Sequence, residues 1–267
     1  MATVVNALRL LNLFSQNHSE IGLTEFKQLS GFDKGTTHRY LQSLKSLGFL
    51  EQNSETKTYR LGPAIMRLAV IREHTFPMAK IAALHVDELA VKTGELVHAS
   101  LPTEEGMSSL HHRDGGISGT RVGFDTSEVL PFHATSSGIA MLAFGPGQLL
   151  EELPKTKLEK FTDETEVDID TVQEIVAVAR NLGYSHMNQS YEAEVCSLAL
   201  PFFSGGEYAA GTLAIATPNS RMSGGDKKAL LMPLIETSRK VSTDLGGQIP
   251  EYISQKWNMM TKKAEIE

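Results

Sequence analysis

Several things are scarce in this chain, and each scarcity excludes something. Among 267 residues there is a single cysteine, Cys196, so neither an internal disulfide framework nor a CxxC metal site can form, and a reducing cytoplasm is the expected compartment. No apolar run approaches the ~18 uninterrupted residues that a membrane span needs. No HExxH zinc-protease spacing and no GxSxG nucleophile elbow is present. Internal repeats and low-complexity tracts are absent. Residues 1–16 have an apolar rhythm and one arginine but no small-residue cleavage site, so they do not read as a signal peptide. The one tryptophan, Trp257, lies in a polar stretch near the end of the chain.

What is present is ordinary in bulk and uneven in placement. The hydrophobic fraction is 41% and the charged fraction 21%, values of a water-soluble globular chain, and the length suggests about two domains. The formal net charge of −7 is split. Residues 1–74 carry nine Lys and Arg against six Asp and Glu, net +3, and the remainder carries −10. A basic head on an acidic body suits a protein whose head alone meets a polyanion.

The head has helical periodicity. Val4, Ala7, Leu8, Leu11 and Phe14 share one helix face, and a polar turn, Gln16-Asn17-His18-Ser19, follows. Thr24 is placed to cap a short helix over Glu25–Ser30, with Gly31 just past its end. A third helix is expected from Asp33 to Leu47, stopped by Gly48. Its inward face is Thr37, Leu41 and Leu44. Two short extended runs, 49–52 and 58–61, flank a polar turn and form a ribbon. Three short helices and a two-stranded ribbon make the order of a winged helix-turn-helix, which lays its third helix in the major groove of DNA.

Thr36, Arg39, Tyr40 and Ser43, at i, i+3, i+4 and i+7, form the expected reading stripe. Arg39 suits a bidentate bond to guanine, and Thr36 and Ser43 suit bases or phosphates. Lys34 suits a phosphate, Thr37 is counted with the contacts, and Lys57 and Arg60 on the ribbon suit the backbone or minor groove.

The body changes period. Helices are expected near 65–72, 78–92, 136–144, 169–182 and 225–245, the last broken or bent near Pro233. Extended runs are expected at 96–101, 107–112, 120–122, 196–203 and 209–217. Helices flanking an antiparallel sheet make an α+β sensor-like domain. The expected organisation is a DNA-binding head (1–62), a linker helix (63–76), an effector domain (77–249) and a polar tail (250–267).

Several separated motifs occur together in order. They are Ala7-Leu8-Arg9-Leu10-Leu11, Lys34-Gly35-Thr36-Thr37-His38-Arg39-Tyr40-Leu41, Leu47-Gly48-Phe49-Leu50-Glu51 and Tyr59-Arg60-Leu61-Gly62 in the head. In the body they are Thr93-Gly94-Glu95 with Val97-His98, Arg121-Val122-Gly123, Leu130 to Gly138, Gly183-Tyr184, Pro201 and Ser220-Arg221. In these the chain resembles the IclR family of bacterial transcription regulators from about Val4 to Leu245. The resemblance implies a winged-helix head, a linker helix and a GAF-like effector domain. It also implies homodimers or homotetramers on a palindromic operator in double-stranded DNA, switched by a small metabolite, as repressors or activators typically of catabolic genes. No cofactor or metal is implied.

The resemblance also implies an effector cup at Ser136, Ser137, Met187, Ser197, Ala214 and Ala216, to which Leu110 adds an apolar wall. Members that bind small oxo-acids carry hydroxyls on the last strand, a cysteine on the preceding one and an acid after Gly-Tyr. Here those places hold Ala214, Ala216, Ser197 and Met187, and Cys196 sits one position early, which on a strand turns it to the other face. An effector with an apolar or aromatic part is therefore expected, since a buried carboxylate needs its oxygens satisfied.

Two other readings compete. A DNA-binding regulator could act without an effector, or His98, His111, His112, His133 and Cys196 could hold a hydrolytic metal. Against the second, adjacent His111 and His112 on a strand face opposite sides, and His133 reads as a structural member of its motif.

Overall fold

Apolar spacing builds the head from the inside. The computed structural model describes residues 2–15, 18–116, 121–153, 157–222 and 227–266, with side chains from 3 to 262 within those ranges. The chain divides into two compact units, Met1–Pro77 and Met78–Glu267. Gln16 and Asn17 of the expected turn, Thr120 of the expected strand and Gly225 of the last helix lie outside the described residues.

In the first unit α1 (Ala2–Arg9) tightens into a 3₁₀ turn (Leu10–Leu13) and is followed by α2 (Leu23–Ser30) and α3 (Lys34–Ser46). Gly22, not Thr24, occupies the N-cap of α2, so the helix starts earlier than expected; Gly31 closes it at φ 71°. Asp33 caps α3 by accepting the Thr36 N–H at 3.0 Å. The ribbon is β1 (Leu50–Gln52) against β2 (Tyr59–Leu61), with Leu50 opposite Leu61 and Ile21 bridged to Tyr59. The head core joins Leu10, Ile21, Phe26, Tyr40, Leu41, Leu44, Leu50 and Tyr59. Within it Phe14, Phe26 and Tyr59 meet edge to face at 5.6 and 6.1 Å. Gly62 is required where the chain leaves the ribbon, because a Cβ there would lie 2.3 Å from the Gly48 carbonyl oxygen.

Helix α4 (Pro63–Thr75) carries the linker sequence and belongs to this first unit, with Pro63 at its start. Met66, Leu68, Val70 and Ile71 are exposed on it beside Arg67, Arg72 and Glu73, and Ala64 is its one buried residue. Val4 and Leu8 of α1, expected on an inward face, are exposed as well.

The second unit is a sheet covered on both faces. Its strands are β3 (Leu96–Pro102), β4 (Met107–Arg113), β5 (Val129–Leu130), β6 (Ser185–Asn188), β7 (Val195–Phe202) and β8 (Gly211–Pro218), in the antiparallel order β5-β4-β3-β8-β7-β6. Helices α6 (Ser136–Phe144) and α8 (Ile169–Leu182) pack on one face, and α5 (Met78–Thr93) and α10 (Lys227–Asp244) on the other. Short α7 (Gly147–Glu152) and α9 (Asn219–Met222) fill connections. This is the α+β arrangement expected. Arg121 and Val122, expected as a strand, are irregular, and α10 continues through Pro233.

The expected polar tail is a helix, α11 (Glu251–Ile266). Ile253 and Trp257 are fully buried, and the Trp257 indole N–H donates to the Gly183 carbonyl at 2.8 Å. The Arg239 guanidinium stands 5.6 Å over the indole. The spacing of Ile253, Trp257 and Met260 carried this signal, beneath a high polar content. Trp257→Ala is expected to cost about 3–5 kcal/mol of unfolding free energy, and Met259→Ala, at an exposed position, less than about 0.5 kcal/mol. Urea unfolding of the two variants checks this.

Candidate functional site

The first candidate surface is the outer face of α3. Its buried stripe is Thr37, Tyr40, Leu41 and Leu44, the same i, i+3, i+4, i+7 spacing as the expected reading stripe but displaced by one residue. One residue is about 100° of helix rotation, so the two stripes overlap only at Tyr40, and the core holds it. Tyr40 packs edge-on against Phe32 at 5.8 Å, and Thr37 is wholly buried with its hydroxyl donating to the Asp33 carbonyl at 2.9 Å. Both side chains are buried in the head, which removes them from the exposed face of α3. Thr36 is half-buried and its N–H serves the cap.

Lys34, Arg39 and Ser43 are exposed, and so is His38, which the sequence stripe left out. The face opposite the buried stripe is centred on Gly35, His38, Arg39, Gln42 and Ser46; reading outward from the apolar stripe would have found it. Arg39 lies 5.9 Å over the Tyr40 ring, which holds the guanidinium at the helix surface. On the ribbon, Arg60 is exposed and paired with Glu51 at 2.9 Å, and Lys57 donates to the Ser54 carbonyl at 2.6 Å. DNA phosphate would compete for both cations.

A cleft in the second unit forms the other candidate site. Its cavity is about 60 Å³ and opens to solvent. Of the expected cup, Ser136, Ser137, Met187, Ser197 and Ala216 line it, whereas Leu110 and Ala214 do not. Leu110 is the unpaired residue of a bulge: Ala99 pairs with His111 and Ser100 with Ser109, so local alternation fails there. Ala214 lies one rung deeper than Ala216, wholly buried between His98 and Ala199 on the neighbouring strands. Leu96, His98, Val122, Phe124, Leu130, Ser190, Tyr191, Glu192 and Val195 complete the walls. Alternation from Leu96 could have found His98, but the loop residues 190–192 follow no period.

The cleft is built at the start of α6. The Thr135 hydroxyl accepts the Gly138 N–H at 3.0 Å and donates to the Pro131 carbonyl at 2.9 Å. Gly138 lets the preceding turn close over the helix, since a Cβ would sit 2.3 Å from the Phe132 carbonyl oxygen. The hydroxyls of Ser137 and Ser190 are buried with no hydrogen-bond partner among the described residues. A buried orphan hydroxyl costs about 1–3 kcal/mol, so two beside one cleft point to groups that a ligand supplies.

His98 shares a hydrogen bond between its Nδ1 and the Ser100 hydroxyl at 3.0 Å, and the Phe124 ring lies 4.7 Å from it. Burial, reinforced by the charge of His112, pushes its pKa down to about 4, so the imidazole stays neutral. Cys196, next to Ser197, turns to the other face as alternation requires, and its thiol meets Asn219 at 3.1 Å. The rival metal set disperses. His111 bonds Asp87 on α5 at 2.9 Å, and His133 bonds the Glu159 carbonyl at 2.9 Å. Among the described residues no group of three or more His, Cys, Asp or Glu is placed to hold a metal.

Two outcomes are expected. Arg39→Ala costs about 1–3 kcal/mol of operator affinity, while Tyr40→Phe leaves it unchanged; electrophoretic mobility shifts decide between them. The second concerns pH. The fold holds His98 neutral and the unfolded chain protonates it near 6.5, so stability falls as pH drops from about 6.5 towards 4. The melting temperature should decrease from about pH 7 to 5, and His98→Gln should flatten that slope in part. His186, also pushed down to about 4 by burial, and His112, lowered in the same way, keep part of the slope.

Comparison with known proteins agrees with this architecture. Residues 3–54 match the family described as IclR helix-turn-helix domain, and residues 72–243 match bacterial transcriptional regulator IclR C-terminal. The glycerol operon regulatory protein of Streptomyces coelicolor is 26% identical over 243 residues, 90% of this chain and 94% of that protein. A crystal structure of an IclR regulator from Silicibacter sp. TM1040 is similar with TM-score 0.86 and 34% identity, covering 94% of this chain and 98% of that one. An IclR homologue from Microbacterium hydrocarbonoxydans, complexed with 4-hydroxybenzoate, shares the fold at TM-score 0.73 and 21% identity, over 91% and 98% of the two chains. The protein is a ligand-responsive, DNA-binding transcriptional regulator and not an enzyme. The chain belongs to the IclR family of bacterial transcriptional regulators.

Proposed function

We propose that the protein acts in the cytoplasm as a homodimer, alone or paired into a tetramer, that grips a palindromic operator through the outer face of α3. In this reading Arg39, His38 and Ser43 face base edges, while Lys34, Lys57 and Arg60 meet phosphates. The dimer contact forms from α1 and α4. A run of exposed apolar side chains on a helix with one buried residue asks for a partner, and Met66, Val70 and Phe76 are each more than 60% exposed. Two-fold symmetry then matches the operator's halves.

The effector lies in the α6 cleft. The orphan hydroxyls of Ser137 and Ser190 carry this reading, because they are buried polar groups that ask for a partner. Backbone N–H groups in the first turn of α6 add donors for the polar end of the ligand. Met187, Leu96, Ala216, Val195 and Phe124 offer apolar contact to the rest, which favours an aromatic or similarly apolar body. The relative that holds 4-hydroxybenzoate gives a scale for such a molecule. The regulated genes are proposed to be catabolic, as the name of the glycerol operon relative suggests for that protein.

Binding to the intergenic DNA beside the protein's own gene, titrated against salt, tests the first part. Affinity should fall steeply with salt, by about tenfold or more between 50 and 200 mM, and more shallowly for Lys34→Ala. A salt-independent complex, or one no tighter than nonspecific DNA, would contradict it. For the second part, 4-hydroxybenzoate should raise the melting temperature more than glyoxylate or pyruvate, and Ala216→Trp should abolish the shift. Tighter binding of the small oxo-acids would overturn the apolar-body assignment.

A further inference from the structure

The cleft has an acidic mouth. Among the described lining residues Glu192 is the one charged side chain, and none is a lysine or arginine. Beside it the Tyr191 hydroxyl donates to the Glu128 carboxylate at 3.0 Å. Glu159 is close enough to act on the same tyrosine. None of these three carboxylates makes a salt bridge with a described Lys or Arg side chain. Partial burial of its carboxyl, and after it the charge of Glu128, holds Glu192 above the ordinary carboxylate range.

Two independent features point the cluster at a ligand. The Ser190 hydroxyl, two residues from Glu192, is 3% exposed, lines the same cleft and has no partner among the described residues. The rings of Tyr191 and Phe124 also line it. Aromatic faces beside carboxylates attract cationic nitrogen by charge and by the ring quadrupole. His98, neutral through burial, adds no competing positive charge.

We propose that the effector carries a protonated amine, which enters last and sits at the mouth among Glu192, Glu128 and Tyr191, beside Ser190. The ligand class is then an aromatic or apolar amine, or an amino acid whose carboxylate reaches the start of α6. This rests on the cleft being the effector site. A carboxylic acid of the same size, held only by the backbone N–H groups at the start of α6, binds more weakly than the amine, because its charge faces Glu192 with no lysine or arginine among the described lining residues.

The test compares three molecules of one shape, 2-phenylethylamine, 2-phenylethanol and phenylacetate, by calorimetric titration of the full chain. The amine should bind about tenfold or more tighter than phenylacetate, with the alcohol between them. In the Glu128→Gln/Glu192→Gln double variant, whose changes lie at exposed positions, that preference should shrink to about threefold or less, while the alcohol binds as before. Phenylacetate binding as tightly as the amine, or a preference untouched by the double variant, would overturn the charge assignment. If Ala216→Trp still abolished binding, the cleft would stand as the site and only its charge preference would fall. If no probe bound, or Ala216→Trp changed nothing, the cleft assignment would fall and this inference with it.

Discussion

A polar group buried behind a sheet covered on both faces has no water to bond, so it must find a partner in the protein or in a ligand. Most of the chain obeys by local means. Asp33 and Thr135 satisfy helix starts, His98 and Ser100 satisfy each other, and the Trp257 indole reaches the Gly183 carbonyl. Several buried hydroxyls do not, and Thr212 and Thr217 among them lie within β8, away from the cleft. Ser137 and Ser190 differ in lining a cleft that opens to solvent. The ligand is therefore argued from a deficit in the protein, as well as from the shape of its cavity.

The head applies the same rule to apolar groups. Four side chains of α3 fill the core, and this fixes the rotation of the helix, which decides what DNA can touch. Gln42 and Lys45 bond Tyr59 and Gln52 of the ribbon, which holds the helix against β1 and β2. The exposed apolar residues of α1 and α4 lie in the same compact unit as the outer face of α3, so the proposed dimer contact and the proposed DNA face belong to one unit.

Most of the head was legible because helices and ribbon each impose a period and the capping residues mark the ends. The expected stripe on α3 departs from the exposed face because two overlapping polar stripes fit the sequence equally well; the apolar stripe admits one rotation. In the second unit α6 and α8 were legible to the residue, from a small-residue run and from a strong apolar face ended by Gly183. The lining of the cleft was legible through family resemblance where strand alternation is regular, as at Ser197 and Ala216. It failed at Leu110, where a bulge resets the alternation, and at Ala214, where depth within the sheet matters as well as face. The mouth residues Ser190, Tyr191 and Glu192 sit between β6 and β7 on a loop whose course is set by tertiary contacts, and no sequence period reports those.

The central claim is that two copies of the α3 outer face read one duplex symmetrically. Hydroxyl-radical footprinting of the full chain on the intergenic DNA beside its gene measures this directly. The account predicts two equally protected patches on one face of the duplex, related by a two-fold axis and separated by one helical turn of about 10 base pairs or a multiple of it. A single patch, or protection continuous along the DNA without a two-fold axis, would contradict it.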